Sequence, residues 1–339
     1  ASKLKRQGQT PIILGGPELD LALRQAITRN GDEPESFALR VRSGSVTIVG
    51  LSPKGTLNGV YEALEQLGFR WYMPGELGRV VPRGNSDLAL NEQLTVQVPS
   101  FPARWLHGTA MKSPLWQRRT RMGGFSVPPS HGGVPRDVTD RKAIQSHADR
   151  IVANIRGKKL KEPYVVGLGP PDRPGWFNDT KESLALDADD YDPFFGGMSH
   201  TDRLMWFYNQ VLKRVDEQVP DANVRIVFYA YHDYVRPPVR KDDVDRRIIP
   251  AFAPITLCRV HGMGETICPE KHYYRQVVKG WHEAVPEVYV RGYYFNLAGP
   301  GVMFSMTHRL RKEIPIMHKL GVSGFRQEVI PKWGSETPS

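Results

Sequence analysis

Short β-rich runs alternate with long amphipathic helical segments through residues 99–339, and this alternation limits the fold more than any other feature. The β-rich runs are residues 101–108, 119–127, 164–169, 224–231, 255–261, 288–295 and 321–328. The helical segments are residues 143–155, 201–218, 270–284 and 307–320. Such alternation is typical of a parallel sheet covered by helices. The size predicts a (β/α)₈ TIM-barrel-like domain, incomplete or irregular because the third strand is missing from this set.

The first 98 residues predict a separate small α/β sandwich domain. A strand at 10–14, a helix at 20–28 and a hairpin at 36–49 are followed by a helix that begins after Ser52, a good N-cap, with Pro53 at its first position. Apolar residues then recur at helical spacing as far as Leu67, and Gly68 is placed to end the helix. Residues 84–100 are polar and are predicted to be the linker, which gives domains 1–98 and 99–339.

The composition excludes several classes of protein. The longest apolar runs fall short of eighteen residues, so no membrane span is predicted. The net charge of +10 raises nucleic acid as a partner, but acidic residues are interspersed and no nucleic-acid-binding motif occurs, so solvated basic faces are favoured. No cofactor-binding motif is present, since Gly15 and Gly16 lack a glycine-rich context.

The two cysteines and the histidines predict no metal site. Cys258 and Cys268 lie ten residues apart, which is neither a metal-binding pattern nor a disulfide framework. One bridge between them and two ordinary thiols both remain open. His232 and His261 have no paired histidine at ligand spacing.

Functional groups in a barrel of this kind lie at the carboxyl ends of the strands. Two carboxylates there are candidate catalytic residues, Asp172 as the proton donor and Glu328 as its partner. The other strand-end side chains combine aromatic faces with hydrogen-bonding groups, as sugar rings require. These candidate substrate-binding residues are Arg104, Trp105, His107, Trp176, Tyr229, Tyr231, His232, Asp233, Arg259, His261, Tyr293 and Tyr294.

Structural roles stay open for several of these residues. Asp172 follows Pro170 and Pro171 and could cap a loop, and Glu328 could be a surface acid near the end of the chain. Asp233 could pair with Arg236. A single histidine is more often structural than functional.

Ordered short motifs carry a resemblance to a known family. Residues 197–209, 229–238 and 288–293, with Trp281 between them, resemble the bacterial family called domain of unknown function 4838, some members of which form glycoside hydrolase family 163. Residues 52–75 resemble the small α/β domain that precedes the barrel in β-hexosaminidases and α-glucuronidases, of glycoside hydrolase families 20 and 67.

The resemblance implies hydrolysis of a glycosidic bond in a complex glycan. For a β-N-acetylglucosaminide it implies retention, with the substrate's own acetamido group attacking the anomeric carbon and Asp172 as the acid. It also implies a secreted or periplasmic protein, although the basic start Ala1–Arg6 leaves a cytoplasmic protein open. The chain departs from the family at Pro171, where asparagine is common, and lacks the cysteine-rich loop that follows.

Two other functions remain open. The departure at Pro171 and the missing third strand favour, as the second reading, a non-catalytic glycan-binding protein with a degenerate site. Binding of an anionic polymer through the basic surface is the third reading, and it would weaken steeply with salt.

Overall fold

The computed structural model describes residues 10–83, 89–107, 113–124, 129–160, 162–293 and 306–328. Its backbone contacts divide the chain into two compact units, residues 1–125 with 329–339 and residues 126–328. The domain boundary at residue 98 stays a prediction. Among the described residues, no helix has the length and the apolar character that crossing a membrane requires.

The first unit consists of short strands and three helices among its described residues. In chain order these are β1 (Ile12–Gly15), α1 (Leu21–Thr28), β2 (Phe37–Arg42), β3 (Ser45–Gly50), α2 (Pro53–Gln66), β4 (Arg70–Trp71), β5 (Arg79–Val80), β6 (Gln93–Gln97), β7 (Ala103–His107) and α3 (Pro114–Arg119).

A four-stranded sheet in the order β1-β3-β2-β6 carries the core of the first unit. The β1–β3 pair is parallel and the other pairs are antiparallel. Alternate residues of β2 point to opposite faces, so that Phe37 packs in a cluster with Ala63 of α2, and Ala38 packs with Leu23 and Ile27 of α1. The sheet is therefore covered on both faces, as the α/β sandwich prediction requires.

Helix α2 begins as the sequence predicts. The Ser52 side chain accepts a hydrogen bond from the Gly55 N–H at 3.2 Å, and Pro53 occupies the first turn. Gly68 ends the segment with φ +94°, a conformation that glycine tolerates best. Gly59 lets the helix lie close to the sheet, because a Cβ at that position would be 2.4 Å from Ile48 Cγ2.

Two sequence predictions in the first unit are wrong. The predicted linker contains β6, which pairs with β2 and is stabilised by that long-range ladder although its own side chains are largely polar. The predicted strand at 119–127 is wrong in its described part, residues 119–124, which form the end of α3 and a turn where Arg121 has φ +55°. Only an isolated bridge between Gly123 and Arg104 is found in its described residues.

The second unit alternates strands and helices. Its described elements are α4 (Arg141–Ile155), β8 (Tyr164–Gly167), α5 (Lys181–Leu184), β9 (Tyr191–Asp192), β10 (Gly197–Met198), α6 (Thr201–Gln218), β11 (Val224–Ala230), β12 (Ile248–Phe252), α7 (Pro269–Ala284), β13 (Val288–Gly292), α8 (Thr307–Lys319) and β14 (Val322–Glu328). Short 3-10 helices at His232–Tyr234 and Lys241–Asp243 follow β11.

Within this unit the described strands β14-β13-β12-β11-β8 form a parallel sheet. The apolar face predicted for residues 201–218 is confirmed, since Leu204, Phe207 and Val211 of α6 are fully buried. Phe228 of β11 is also buried; its ring contacts the Tyr208 ring of α6 at a tilt and the Trp281 ring of α7 edge-on. The fold is the predicted α/β class, with a curled parallel sheet that corresponds to an incomplete (β/α)₈ barrel.

The strand predicted at 255–261 is wrong by about one strand length, because β12 lies earlier at Ile248–Phe252. Pro250, which lacks an N–H donor, made this run a poor candidate for a central strand. It is tolerated because the pairing of β12 with β13 begins only at Ala251. Residues 255–261 belong to the loop that leads to α7.

Candidate functional site

Parallel pairing brings the carboxyl ends of β8, β11, β12, β13 and β14 to one edge of the sheet. Tyr229 is the sixth residue of β11, and Tyr231 follows the end of that strand on the same face by alternation. The chain then turns sharply at His232, whose φ of +50° is unusual for a residue with a side chain. This edge is called the carboxyl edge below.

An arginine connects two strand ends at the carboxyl edge. The Arg291 guanidinium, on β13, donates hydrogen bonds to the Tyr229 hydroxyl and to the Glu328 carboxylate of β14. The same group lies over the Tyr229 ring at 4.9 Å and over the Tyr293 ring at 5.7 Å. Glu328 is thus held in an ion pair whose partners are 12% and 17% exposed. The predicted partners Tyr229, Tyr293 and Glu328 are brought together by a residue that the sequence prediction omitted.

Asp172 lies in the loop after β8 and is 61% exposed. Its Oδ1 is 4.0 Å from His232 Nε2. Burial, together with the negative charge and hydrogen bonding of Asp172, raises the pKa of Tyr231 to about 12. Tyr231 is therefore a neutral hydroxyl beside an accessible carboxylate, and His232 is the nearby imidazole.

His131 completes the aromatic wall of the site. Its ring stacks on Tyr229 with centroids 4.7 Å apart and meets Tyr231 edge-on at 6.3 Å. Burial lowers the pKa values of His131 and His232, although the Asp172 carboxylate acts in the opposite direction on both. The two imidazoles are consequently biased toward the neutral form, which both donates and accepts hydrogen bonds.

Asp233, the residue after His232, is buried at 4% exposure. Its Oδ2 accepts a hydrogen bond from the Gly175 N–H at 3.2 Å, and its Oδ1 has no hydrogen-bond partner among the described residues. Burial raises the pKa of its carboxyl. The alternative of a pair with Arg236 is wrong, because Arg236 binds Asp190 through two contacts of 2.7 and 2.8 Å.

Arg259 and His261 lie in the loop after β12 instead of at a strand end, a correction that follows from the shifted position of β12. The Arg259 guanidinium still reaches the carboxyl edge, since it lies 5.9 Å from the centroid of the Tyr293 ring. The Arg309 guanidinium of α8 donates to the carbonyl of Arg259 and fixes the backbone there.

The remaining predicted residues lie in the first unit, bind other groups, or are outside the described residues. Arg104 and Trp105 belong to the first unit, where Arg104 pairs with Glu35 and donates to the Phe101 carbonyl at 2.7 Å. Trp176 donates to the Val134 carbonyl at 3.0 Å and carries Arg173 over its ring at 4.8 Å. Tyr294 and the side chain of His107 lie outside the described residues.

The prediction that the cysteines and histidines form no metal site stays a prediction, although three of these side chains lie close together. Cys258, His261 and Cys268 offer three ligand atoms that all lie within 4.8 Å of one another. The irregular spacing hid this cluster, because the loop after β12 folds back so that Cys268, the residue before α7, returns to Cys258. Both cysteines are free thiols in this structure.

Sequence reasoning missed Arg291 and His131. Arg291 could have been found, because it lies two residues before Tyr293 and strand alternation places both on one face. His131 lies in an irregular segment that is attached near β8 by bridges of Gly132 and Gly133 with Gly169 and by a hydrogen bond from Ser130 to the Gly167 carbonyl, and its sequence context gives no comparable signal.

Solved structures resemble this fold at low sequence identity. A family GH115 4-O-methyl-α-glucuronidase with specificity for decorated arabinogalactans matches 94% of this chain at 14% identity, with a TM-score of 0.50. A GH138 enzyme targeting pectin rhamnogalacturonan II matches 87% at 11% identity, with a TM-score of 0.25. The chain spans 48% and 40% of these two proteins, about half of their length or less. The first likeness supports the fold.

Sequence comparison is informative for the second unit. No curated protein is significantly similar to the chain. The family model for the domain of unknown function DUF4838 matches residues 139–337, which is more than half of the chain and includes α6, α7 and the carboxyl ends of β11 to β14. The chain therefore belongs to the DUF4838 family.

Proposed function

We propose that the protein hydrolyses a glycosidic bond in a complex glycan at the carboxyl edge of its parallel sheet. The observation that carries this proposal is the grouping of an accessible carboxylate, Asp172, with stacked aromatic rings and the Arg291–Glu328 pair. Aromatic faces bind sugar rings, and the fixed charged groups bind their hydroxyls. The glycoside hydrolases that share the fold support the same class of reaction.

Each group has a role in this proposal. Asp172 is the proton donor to the leaving oxygen, because it is exposed and lies beside the Tyr231 hydroxyl and the His232 imidazole. Glu328 is not a free carboxylate, so its role is to hold Arg291 in place against Tyr229. Arg259, Tyr231 and Tyr293 bind substrate.

A β-N-acetylglucosaminide is the proposed substrate within this class. Glu328 is engaged with Arg291, so among the two predicted catalytic carboxylates only Asp172 is accessible. A retaining mechanism in which the substrate's acetamido oxygen attacks the anomeric carbon requires no carboxylate nucleophile from the protein. The presence of one accessible predicted carboxylate, together with the family resemblance, therefore supports a β-N-acetylglucosaminide as the substrate. Such glycans lie outside the cell, so we also propose a secreted or periplasmic location.

The experiment begins with a screen of the purified protein against a glycan library that includes chitobiose-type and N-glycan substrates. For any substrate cleaved, Asp172→Asn is expected to lower kcat/KM at least a hundredfold without changing Tm. Glu182→Gln, an exposed acid on α5, is the matched control and should retain full activity. Equal turnover by Asp172→Asn and the control would reject Asp172 as the acid.

A second measurement tests the acetamido mechanism. Aryl β-N-acetylglucosaminide should be cleaved, whereas aryl β-glucoside, which lacks the acetamido group, should be cleaved at least a hundredfold more slowly. Comparable rates for the two substrates would exclude substrate assistance, but they would not contradict the proposal that the protein hydrolyses a glycosidic bond.

The non-catalytic alternative makes the opposite prediction. Its support is the replacement of the family asparagine by Pro171 and the commitment of Glu328 to an ion pair. Glycan binding without turnover, unaffected by Asp172→Asn, would establish it. Binding that is lost steeply with added salt would instead favour an anionic polymer on the basic surface.

A further inference from the structure

Three ligand side chains converge in the loop between β12 and α7. Cys258 Sγ lies 3.3 Å from His261 Nδ1, and Cys268 Sγ is within 4.8 Å of both. Cys268 is buried, and the other two are half-buried. Two thiols and an imidazole at such separations are a donor set without a role in the mechanism above.

We propose that Cys258, His261 and Cys268 bind a zinc ion. Zinc–sulfur and zinc–nitrogen bonds of about 2.3 and 2.0 Å at tetrahedral angles place neighbouring ligand atoms roughly 3.5–3.8 Å apart. The Cys258–His261 separation is 3.3 Å and the other two separations are at most 4.8 Å, so binding requires ligand movements on the order of 1 Å or less. Thiolate and imidazole ligands favour zinc over magnesium or calcium, which take oxygen ligands.

The surrounding backbone already holds this arrangement. The His261 N–H donates to Cys258 Sγ at 3.4 Å, and the Cys258 N–H donates to the Glu270 carboxylate in the first turn of α7. The His272 N–H, in turn, donates to the Cys268 carbonyl at 3.1 Å as α7 begins. Donors that are fixed by neighbouring hydrogen bonds lose less freedom when a metal binds.

The three ligands leave one position of the tetrahedron for water or another small ligand. A structural zinc site is usually closed by four protein ligands, whereas an open site keeps one exchangeable position. The described residues supply three, so the proposed site is of the open kind.

The position of Arg259 gives the site a consequence for the carboxyl edge. Arg259 stands between the two ligands Cys258 and His261, and its guanidinium lies over Tyr293. A zinc ion bound by Cys258 and His261, which lie on either side of Arg259 in the sequence, would restrain the backbone that carries the Arg259 side chain. This consequence rests on the proposed function, whereas the metal site itself does not.

The test measures metal directly. Apo-protein prepared under reducing conditions and incubated with zinc should retain about one equivalent after gel filtration, and with cobalt it should show thiolate-to-cobalt charge-transfer absorption. Cys258→Ser, Cys268→Ser and His261→Ala should each lower zinc retention at least tenfold. His272→Ala, an exposed histidine on α7, is the matched control and should retain one equivalent.

Wild-type measurements keep the proposal falsifiable if a variant fails to fold. Zinc should raise the Tm of the wild-type protein, and a chelator should reverse the rise. Retention below 0.1 equivalent by the folded wild type, or cobalt spectra without thiolate absorption, would overturn the zinc site. A Cys258–Cys268 disulfide in protein purified under reducing conditions would overturn it too. None of these outcomes bears on glycan turnover by Asp172.

Discussion

The two ends of the parallel sheet differ in how their charged residues are paired. At the amino ends, Arg225 pairs with Glu287 at 3.3 Å, and Arg247 holds Asp216 through two contacts of 2.7 Å. Asp245 also binds the Arg247 guanidinium at 2.7 Å. At the carboxyl edge, the Asp172 carboxylate is exposed and its histidine neighbour is 4.0 Å away.

The difference separates groups that stabilise the sheet from groups that are available for a substrate. An acid that is already bound bidentately by arginine has few hydrogen-bonding positions left for a ligand. Asp172 and its neighbouring imidazoles retain theirs. Barrel enzymes show the same division, with function at the carboxyl ends of strands and stability at the amino ends.

Replacing Arg291 at the carboxyl edge should have the largest effect on this difference between the two ends of the sheet. Arg291→Met would remove the guanidinium that contacts Tyr229 and Glu328, and it would leave a mostly buried carboxylate without its partner. We expect kcat/KM for the cleaved glycan to fall about a hundredfold, or about 2.7 kcal/mol in transition-state stabilisation. Arg225→Met at the opposite end is the control. Equal losses from the two variants would contradict a functional difference between the ends.

Removing an arginine at the amino ends should affect stability alone. Arg247→Met would abolish the contacts with Asp216 and Asp245. Because Asp216 is 39% exposed, solvent screens the pair and we expect a loss of about 1 kcal/mol, or a Tm lower by about 2–4 °C. Calorimetry and glycan turnover measured on the same sample give the answer. A large fall in kcat would show that the amino ends also shape the site.

The smallest expected effect concerns Asp233 and depends on pH. Burial raises its pKa in the folded protein, so the folded state binds this proton more tightly than the unfolded state does. Its contribution to stability therefore falls as pH rises from about 4, the ordinary aspartate value, through the raised value. Asp233→Asn removes the titration and keeps an acceptor for the Gly175 N–H.

The Tm of Asp233→Asn relative to that of the wild type should consequently increase as pH rises from about 4. Asp189→Asn, at an exposed position, is the matched control for removing a carboxylate. A difference for Asp233→Asn that stays flat would show that burial of this carboxyl has no energetic effect.

The longer helices, α1, α2, α4, α6, α7 and α8, were predictable from sequence because local periodicity determines them, whereas the short helices α3 and α5 were not predicted. The face of α6 repeats Leu204, Phe207, Tyr208 and Val211, and the helix spans Thr201–Gln218 as predicted. The N-cap of α2 at Ser52 is likewise local chemistry. Long-range pairing was not predictable in the same way. Strand β6 is largely polar and forms because it pairs with β2. Strand β12 includes Pro250, which pairs with Phe228 of β11, while the pairing with β13 begins only at Ala251.

The candidate site was predictable only in part, and for the same reason. Tyr229 lies within a strand, and Tyr231 and Tyr293 directly follow strands, whose hydrophobic runs are evident in the sequence. The Arg291 bridge and the Cys258–His261–Cys268 cluster depend on which segments meet after folding. Sequence spacing does not determine which of these segments come together. Residue type therefore indicated candidate residues but not which of them would be in contact.

The left-handed backbone of His232 implies a trade-off between stability and activity. A residue with a side chain at φ +50° costs about 1–2 kcal/mol, and glycine would relieve that cost. Glycine would also remove the imidazole that faces Asp172. Selection for thermostability should therefore favour glycine at position 232, whereas selection for catalysis should favour histidine. A stabilised variant that carries glycine here should have a weakened site.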